Sequence, residues 1–398
     1  MSSEKEPKLS PATIAVHGGE RTAEQPFGAV VSPVFHSATF AFDNFATLRR
    51  YSRGELPNEY FYSRYANPTV AEVERKIARL EGAEACVVTA SGSAATFCAL
   101  VALCEAGDEI IACDSIYGGT VKILTGLLSR FGIHTRFVSL ADVYRLPELT
   151  GERARVFWFE TPTNPLNRIV DLDRAASSAR AANLFSVVDN TFATPILQQP
   201  LAHGISAVMH SATKYLGGHS DLTAGAVAGD AAYVDRVRHV TVAIGATLDP
   251  AAAFLLNRGI RTLALRVHAS CENALKVAQA LRTHPAVSQV YYPGLEDDPS
   301  HSPAKRQMKA FGGTLAFDLV AGEAAVEKFF DALKLVRTAP SLGGVETLAS
   351  YPLYSSHAGF SEEQLRAAGV SASTVRLALG VESPEDIIAD ISAALASL

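Results

Sequence analysis

The chain carries little surplus charge of either sign. Lysine and arginine number 35 against 41 acidic residues, and both signs are scattered along the sequence. No basic stripe is available to hold a nucleic acid. Long apolar runs are also missing, and the start, Met1-Ser-Ser-Glu-Lys5, lacks the apolar core of a secretory signal. A cytoplasmic protein with no membrane or nucleic-acid partner is expected. Cysteine is scarce: Cys86, Cys98, Cys104, Cys113 and Cys271 form no C-x-x-C pair and mostly sit in apolar runs. They read as buried thiols rather than disulfides or zinc ligands. The histidines form no H-E-x-x-H, so no metal site is supported. G-x-G-x-x-G and G-x-x-x-x-G-K-[ST] are both missing, which removes two nucleotide-binding signatures. Hydrophobic residues make up 48% of the chain and charged ones 19%, enough apolar material for a large core and too much for disorder.

What is present centres on residues 185–229. Three short apolar runs, Phe185–Val188, Ala207–Met209 and Ala224–Ala228, read as buried strands bounded by turn residues. Asp189 ends the first, and Lys214 follows the second within Ser211-Ala-Thr213-Lys214. Ligands of open α/β sheets bind outside the carboxyl ends of the strands. An acid, an amine and two hydroxyls therefore face one crevice. A lysine amine condenses with a carbonyl, and an aspartate pairs with a protonated ring nitrogen. This is how proteins hold pyridoxal phosphate (PLP). Lys214 alone would read as a solvated lysine; the ordered set points to the cofactor.

The rest of the chain fits around that stretch. Residues 1–60 are aromatic and irregular, with Phe27, Phe35, Phe40, Phe42, Phe45, Tyr51 and Tyr60. They read as an arm that covers a surface of the same chain or of a second subunit, its length favouring the subunit. In Phe61-Tyr-Ser-Arg64-Tyr, Arg64 is either a surface-turn residue or, with a tyrosine hydroxyl, a phosphate clamp. Thr69-x-x-Glu72 matches a capping box for a helix with Val70, Val73, Ile77 and Leu80 on its apolar face, closed by Gly82. Strands follow at Ala85–Thr89, Asp108–Cys113, Thr135–Leu140 and Arg155–Glu160. The turn Ser91-Gly92-Ser93 after the first opens a helix whose N–H groups suit an anion, and serves equally as a plain tight turn. Tyr117, at the end of the second, either stacks on a flat ring or fills core. Asn164, between Pro162 and Pro165, either bonds a phenolic oxygen or makes an Asx-turn. Seven strands alternating with helices give a doubly wound α/β fold built on a mostly parallel sheet.

Beyond Gly229 the pattern changes. Residues 233–284 read as almost entirely helical, with Leu255, Leu256, Ile260, Leu263, Leu265 and Val267 on apolar faces. A smaller α+β unit follows, with strands near Val287–Tyr292, Gly313–Val320, Lys334–Ala339 and Thr374–Val381. Arg376 is a lone cation on the last of these, either reaching solvent at an edge or forming a fork for a carboxylate. The expected division is an inter-subunit arm at 1–60, a large cofactor domain at 61–255 and a small domain at 256–398.

Several motifs together resemble one family. Tyr62-Ser-Arg64, Ser91-Gly92-Ser93, Tyr117-Gly-Gly, Glu160-Thr-Pro-Thr-Asn164-Pro, Val188-Asp189, Ser211-Ala-Thr213-Lys214-Tyr, Ser341-Leu-Gly-Gly and Val375-Arg376-Leu occur in order over nearly the whole chain. They resemble the Cys/Met-metabolism, or trans-sulfuration, group of PLP enzymes: cystathionine γ-lyase, γ-synthase and β-lyase, methionine γ-lyase and the homoserine-ester sulfhydrylases. The resemblance implies an aspartate-aminotransferase-type fold and a homotetramer of active-site dimers. It implies that Lys214 binds the cofactor covalently and then moves protons, that Asp189 pairs with the ring nitrogen and that Tyr117 stacks on the ring. Gly92, Ser93, Ser211 and Thr213 would hold the phosphate, joined by Tyr62 and Arg64 of a neighbouring subunit. Asn164 would contact the phenolic oxygen, and Arg376, with Ser341 nearby, the substrate. The activity implied is γ-elimination on a sulfur amino acid such as cystathionine, with γ-replacement on an O-acyl-homoserine as the alternative. Gly119 stands where methionine γ-lyases usually carry cysteine. Pro340 stands where cystathionine-handling γ-enzymes usually carry glutamate and β-lyases tyrosine.

Overall fold

A computed structural model describes residues 9–20, 26–56 and 59–398. Seven strands form the main sheet: β1 (Ala85–Thr89), β2 (Glu109–Cys113), β3 (His134–Val138), β4 (Ala154–Glu160), β5 (Phe185–Asp189), β6 (Ala207–His210) and β7 (Gly225–Gly229). Their spatial order is β1-β7-β6-β5-β4-β2-β3. Only β7 runs against its neighbours, β1 and β6; the other pairs are parallel. Helices cover both faces, so the central strands are apolar throughout. Phe157, Trp158, Phe159, Val187 and Val188 are fully buried. The carboxyl ends of β1, β2, β4, β5 and β6 share one edge, and the turns leaving them build the site.

The second sheet comprises β8 (Val287–Tyr291), β9 (Thr314–Leu319), β10 (Arg337–Thr338), β11 (Leu348–Ser350) and β12 (Thr374–Ala378), in the order β10-β11-β12-β9-β8. β10 and β11 are parallel and the remaining pairs antiparallel. The helix Leu263–Arg282 leads into this unit, and its Ala274, Val277 and Leu281 pack into the same apolar cluster as Phe317, Phe329 and Val375.

Three local expectations change. The helix Pro68–Glu81 is capped at Asn67, two residues before the Thr69 of the expected Thr69–Glu72 box. Asn67 caps it by accepting from Thr69 N–H, and Pro68 has the fixed φ suited to a first helical position. Thr69 instead accepts from Phe35 N–H, and Glu72 from Asn257. Leu265 is 74% exposed, because it lies two residues from buried Leu263 and so on the opposite helix face. The stretch before residue 60 is not irregular throughout. The helix Pro11–His17 buries Ala15, and Glu20 pairs with Lys76 and Arg261. From Phe27 onward the aromatic stretch is open, with Phe27, Val30, Phe45 and Phe61 exposed. The expectation about a secretory signal falls on residues 1–8, which lie outside the described residues.

Candidate active site

A cavity of about 520 Å³ opens at the carboxyl edge of the main sheet. It gathers Gly92, Ser93, Tyr117, Asn164, Asp189, Ser211, Thr213, Lys214, Ser341 and Arg376, every candidate except Tyr62 and Arg64. Those two lie elsewhere in their own chain. Arg64 donates to the Val242 carbonyl at 3.0 Å and rests over the rings of Tyr62 and Tyr65.

One end of the cavity is an anion cradle. Ser91 caps the helix Gly92–Val101 by accepting from Ala94 N–H at 3.1 Å. The N–H groups of Gly92 and Ser93 precede the first intrahelical bond and remain for a ligand. Ser211 faces them closely. A Cβ on residue 92 would lie 2.8 Å from its Oγ, so only glycine permits this approach. Thr213 is more committed than its sequence role suggests. Its hydroxyl donates to the Ala224 carbonyl at 3.2 Å and accepts from Ala224 N–H at 2.9 Å.

The floor holds two carboxyl groups. β4 and β5 are adjacent and parallel, and Glu160 lies in register with Asp189. Asp189 accepts from Thr191 N–H and Oγ–H, both on Oδ1. Glu160 accepts from Tyr117 N–H at 2.6 Å, which fixes the turn carrying that tyrosine. Burial pushes the Glu160 carboxyl well up, and the Asp189 charge adds to this. Burial likewise raises Asp189, against the bonds from Thr191 and the charge of His210. Sequence inspection places Glu160 at a strand end but gives it no role, since only the adjacency of β4 and β5 brings it beside Asp189.

Lys214 enters from the loop after β6. Its Nζ donates to Ser341 Oγ at 2.8 Å, linking the two domains. Burial, aided by the Arg376 charge, lowers its pKa to about 8. Arg376 is 4% exposed on β12 and donates to Asn164 Oδ1 at 2.9 Å and to the Ser341 carbonyl at 2.8 Å. Its Nε is buried without a partner among the described residues, an orphan donor that costs free energy unless a ligand meets it. Asn164 thus orients the arginine, besides any contact with a ring. The roof is the stretch Tyr354–Ser356, packed so tightly on the Tyr117 turn that a Cβ on Gly118 would lie 2.1 Å from the Ser356 carbonyl.

A family model described as Cys/Met metabolism PLP-dependent enzyme matches residues 12–396. The chain belongs to this family. A cystathionine beta-lyase of Lactococcus lactis subsp. cremoris is 41% identical over 96% of this chain and 98% of its own. An L-methionine gamma-lyase of Pseudomonas deceptionensis is 41% identical over 97% of each. Among solved structures, a cystathionine gamma synthase from Xanthomonas oryzae pv. oryzae superposes with a TM-score of 0.92 at 37% identity, covering 98% of both chains. A cystathionine gamma-lyase from Lactobacillus plantarum gives 0.91 at 36%, covering 98% of this chain and 99% of that one.

The cavity suits the family's cofactor. An amine with a lowered pKa, an anion cradle and an aspartate with one carboxylate oxygen outside the Thr191 bonds provide for its aldehyde, phosphate and ring nitrogen. The five cysteines are all free and buried, as expected. The described residues contain no cluster of metal-ligating side chains and no helix long and apolar enough to cross a membrane.

Proposed function

We propose that this enzyme is a carbon–sulfur lyase that performs γ-elimination on a sulfur amino acid such as cystathionine, releasing a thiol, a 2-oxo acid and ammonia. The observation that carries the reading is the placement of the Lys214 amine and the Arg376 guanidinium in one cavity, both tied to Ser341. The relatives named as lyases support the reaction class.

Bound PLP supplies an electron sink for the bond broken at the substrate α-carbon. Lys214 would hold its aldehyde, Asp189 its ring nitrogen, and Gly92, Ser93, Ser211 and Thr213 its phosphate, with Tyr117 placed to stack on the ring. Arg376 takes the substrate α-carboxylate, its fork pre-aimed by Asn164 and Ser341. This fixes the Cα–H bond near Lys214 Nζ, which takes that proton and moves it along the substrate toward the departing sulfur. The lowered pKa of Lys214 suits a base working near neutral pH.

Tyr62 and Arg64 would complete the phosphate site of a neighbouring subunit. Their position outside their own cavity supports this, as does the exposed aromatic stretch ahead of them. The proposed assembly is a homotetramer of active-site dimers, with the arm, large and small domains divided near residues 60 and 255. A cytoplasmic location accords with the free thiols.

The similarity to a cystathionine gamma synthase structure favours one second reading, γ-replacement on an O-acyl-homoserine. Incubation of each candidate substrate with and without excess thiol tests the choice. Oxo acid as the main product despite the thiol supports elimination; a new thioether from the ester contradicts it.

A further inference from the structure

The buried side of the helix Leu263–Arg282 is apolar except for one stripe. Arg266, Ser270 and Asn273, at i, i+4 and i+7, lie on one face and are all buried. Each would be costly there without a partner, and each donates to a backbone carbonyl beside the candidate site. Arg266 Nη1 donates to the Tyr215 carbonyl at 2.8 Å, one residue past Lys214, and Nη2 to the Gly259 carbonyl at 2.7 Å. Its Nε donates to Thr262 Oγ1 at 3.0 Å. Ser270 Oγ donates to the Leu379 carbonyl at 2.6 Å, and Asn273 Nδ2 to those of Gly380 at 3.1 Å and Glu382 at 2.8 Å. These three carbonyls follow Arg376 off the end of β12. The approach is close at both ends. A Cβ on Gly218 would lie 2.0 Å from Arg266 Nη1, and one on Gly313, whose carbonyl takes Leu379 N–H, 1.8 Å from Ser270 Oγ. The helix also packs Val267 into the apolar cluster of Leu216 and Leu256, and Val277 into that of Phe317 and Val375.

We propose that this helix is the spacer that sets the separation of the Lys214 base and the Arg376 fork, with Arg266, Ser270 and Asn273 as its positioning residues. The inference rests on the roles proposed above for Lys214 and Arg376. Ser341 and Asn164 hold the two side chains by their tips. The helix holds the backbone behind each of them. Arg266 to Asn273 spans two helical turns, about 10 Å along a stiff axis. A substrate gripped by its carboxylate presents its Cα–H bond to Lys214 Nζ only at the right separation. A misplacement of about 1 Å can lower a rate on the order of a hundredfold. A stripe that served the fold alone would instead support folding and cofactor binding, with no separate effect on proton transfer.

Exchange of the substrate α-proton in deuterated water tests this. L-2-Aminobutyrate is the probe, because it has a carboxylate for Arg376, an α-proton for Lys214 and no leaving group. Holoenzyme is compared with Ser270→Ala, Asn273→Ala, the double variant and Arg266→Lys, and each rate is divided by the PLP bound. Ser270→Ala removes one oxygen and leaves Arg376, Asn164 and Ser341 in place. The saturated exchange rate is expected to fall about tenfold in each single variant and further in the double variant, as a displacement of less than about 1 Å would produce. Half-saturation by aminobutyrate and the PLP dissociation constant should stay within about twofold of wild type, since the fork and the anion cradle are intact. An unchanged rate per bound cofactor in Ser270→Ala and the double variant would overturn the inference. So would a loss of PLP affinity that accounts for the whole fall in activity, the mark of a stripe that serves the fold alone. The exchange breaks no bond at the γ-carbon, so these outcomes are separate from the choice of γ-elimination. A wild type that exchanges no α-proton would overturn the roles of Lys214 and Arg376 and this inference together.

Discussion

Lys214 and Ser341 meet across the domain boundary, Nζ to Oγ at 2.8 Å, while the Ser341 carbonyl takes the guanidinium of Arg376. One serine on the loop after β10 therefore fixes the base and the carboxylate fork together. It does so from an unusual backbone, φ 94, which a non-glycine residue occupies only when its surroundings hold it there.

Ser341→Gly should separate these effects. Glycine adopts that φ freely, so thermal unfolding should show stability retained or raised by up to about 1 kcal/mol. Lys214 loses its anchor, and kcat should fall several-fold. Lower stability with unchanged kcat would contradict the arrangement.

Lys214 should titrate as an activated amine. Its pKa is lowered to about 8 by burial and then by Arg376. A lowered lysine pKa enriches the neutral form, on the order of a tenth of molecules at pH 7 against under about one in a thousand for an ordinary lysine. Cofactor-depleted protein should react with a small aldehyde at a rate that rises with pH to a midpoint near that value. Removing the charge with Arg376→Gln should move the midpoint up. A midpoint left in the ordinary lysine range in wild type would contradict the geometry.

Arg376→Lys keeps the charge and loses the fork. The two bonds to Asn164 and Ser341, and a bidentate grip on a carboxylate, cannot all be rebuilt by an ammonium. The expected cost is about 2 kcal/mol, roughly a thirty-fold drop in kcat/KM carried mainly by KM. Steady-state kinetics on an amino acid substrate reads it directly.

The roof is tested at Gly118. A Cβ there meets the Ser356 carbonyl at 2.1 Å, so Gly118→Ala must push the Tyr354–Ser356 stretch off the Tyr117 turn. Destabilisation of roughly 1–3 kcal/mol is expected in denaturant unfolding, together with weaker cofactor retention. Full wild-type stability would mean that the two segments are not packed together.

Much of this was readable beforehand because the main-sheet strands are short apolar runs ended by turn residues, and the turns carry the chemistry. Asp189, Ser211 and Lys214 stand where the strand ends put them. Three kinds of feature escaped. β11 is three residues long, Leu348–Ser350, too short to show periodicity. The start of the helix Pro68–Glu81 escaped because Thr69-x-x-Glu72 matches a capping box, while Asn67 and Pro68 ahead of it supply the cap and first residue. The pairing of Glu160 with Asp189, and the grip of Ser341 on both Lys214 and Arg376, arise between segments far apart in the chain. No local pattern records them.

The most direct test of the account is to give purified holoenzyme cystathionine as sole substrate and identify the products by mass spectrometry. Cleavage on the γ side predicts cysteine, 2-oxobutyrate and ammonia. Homocysteine with pyruvate as the main products would show cleavage on the β side and contradict the γ-elimination proposed here.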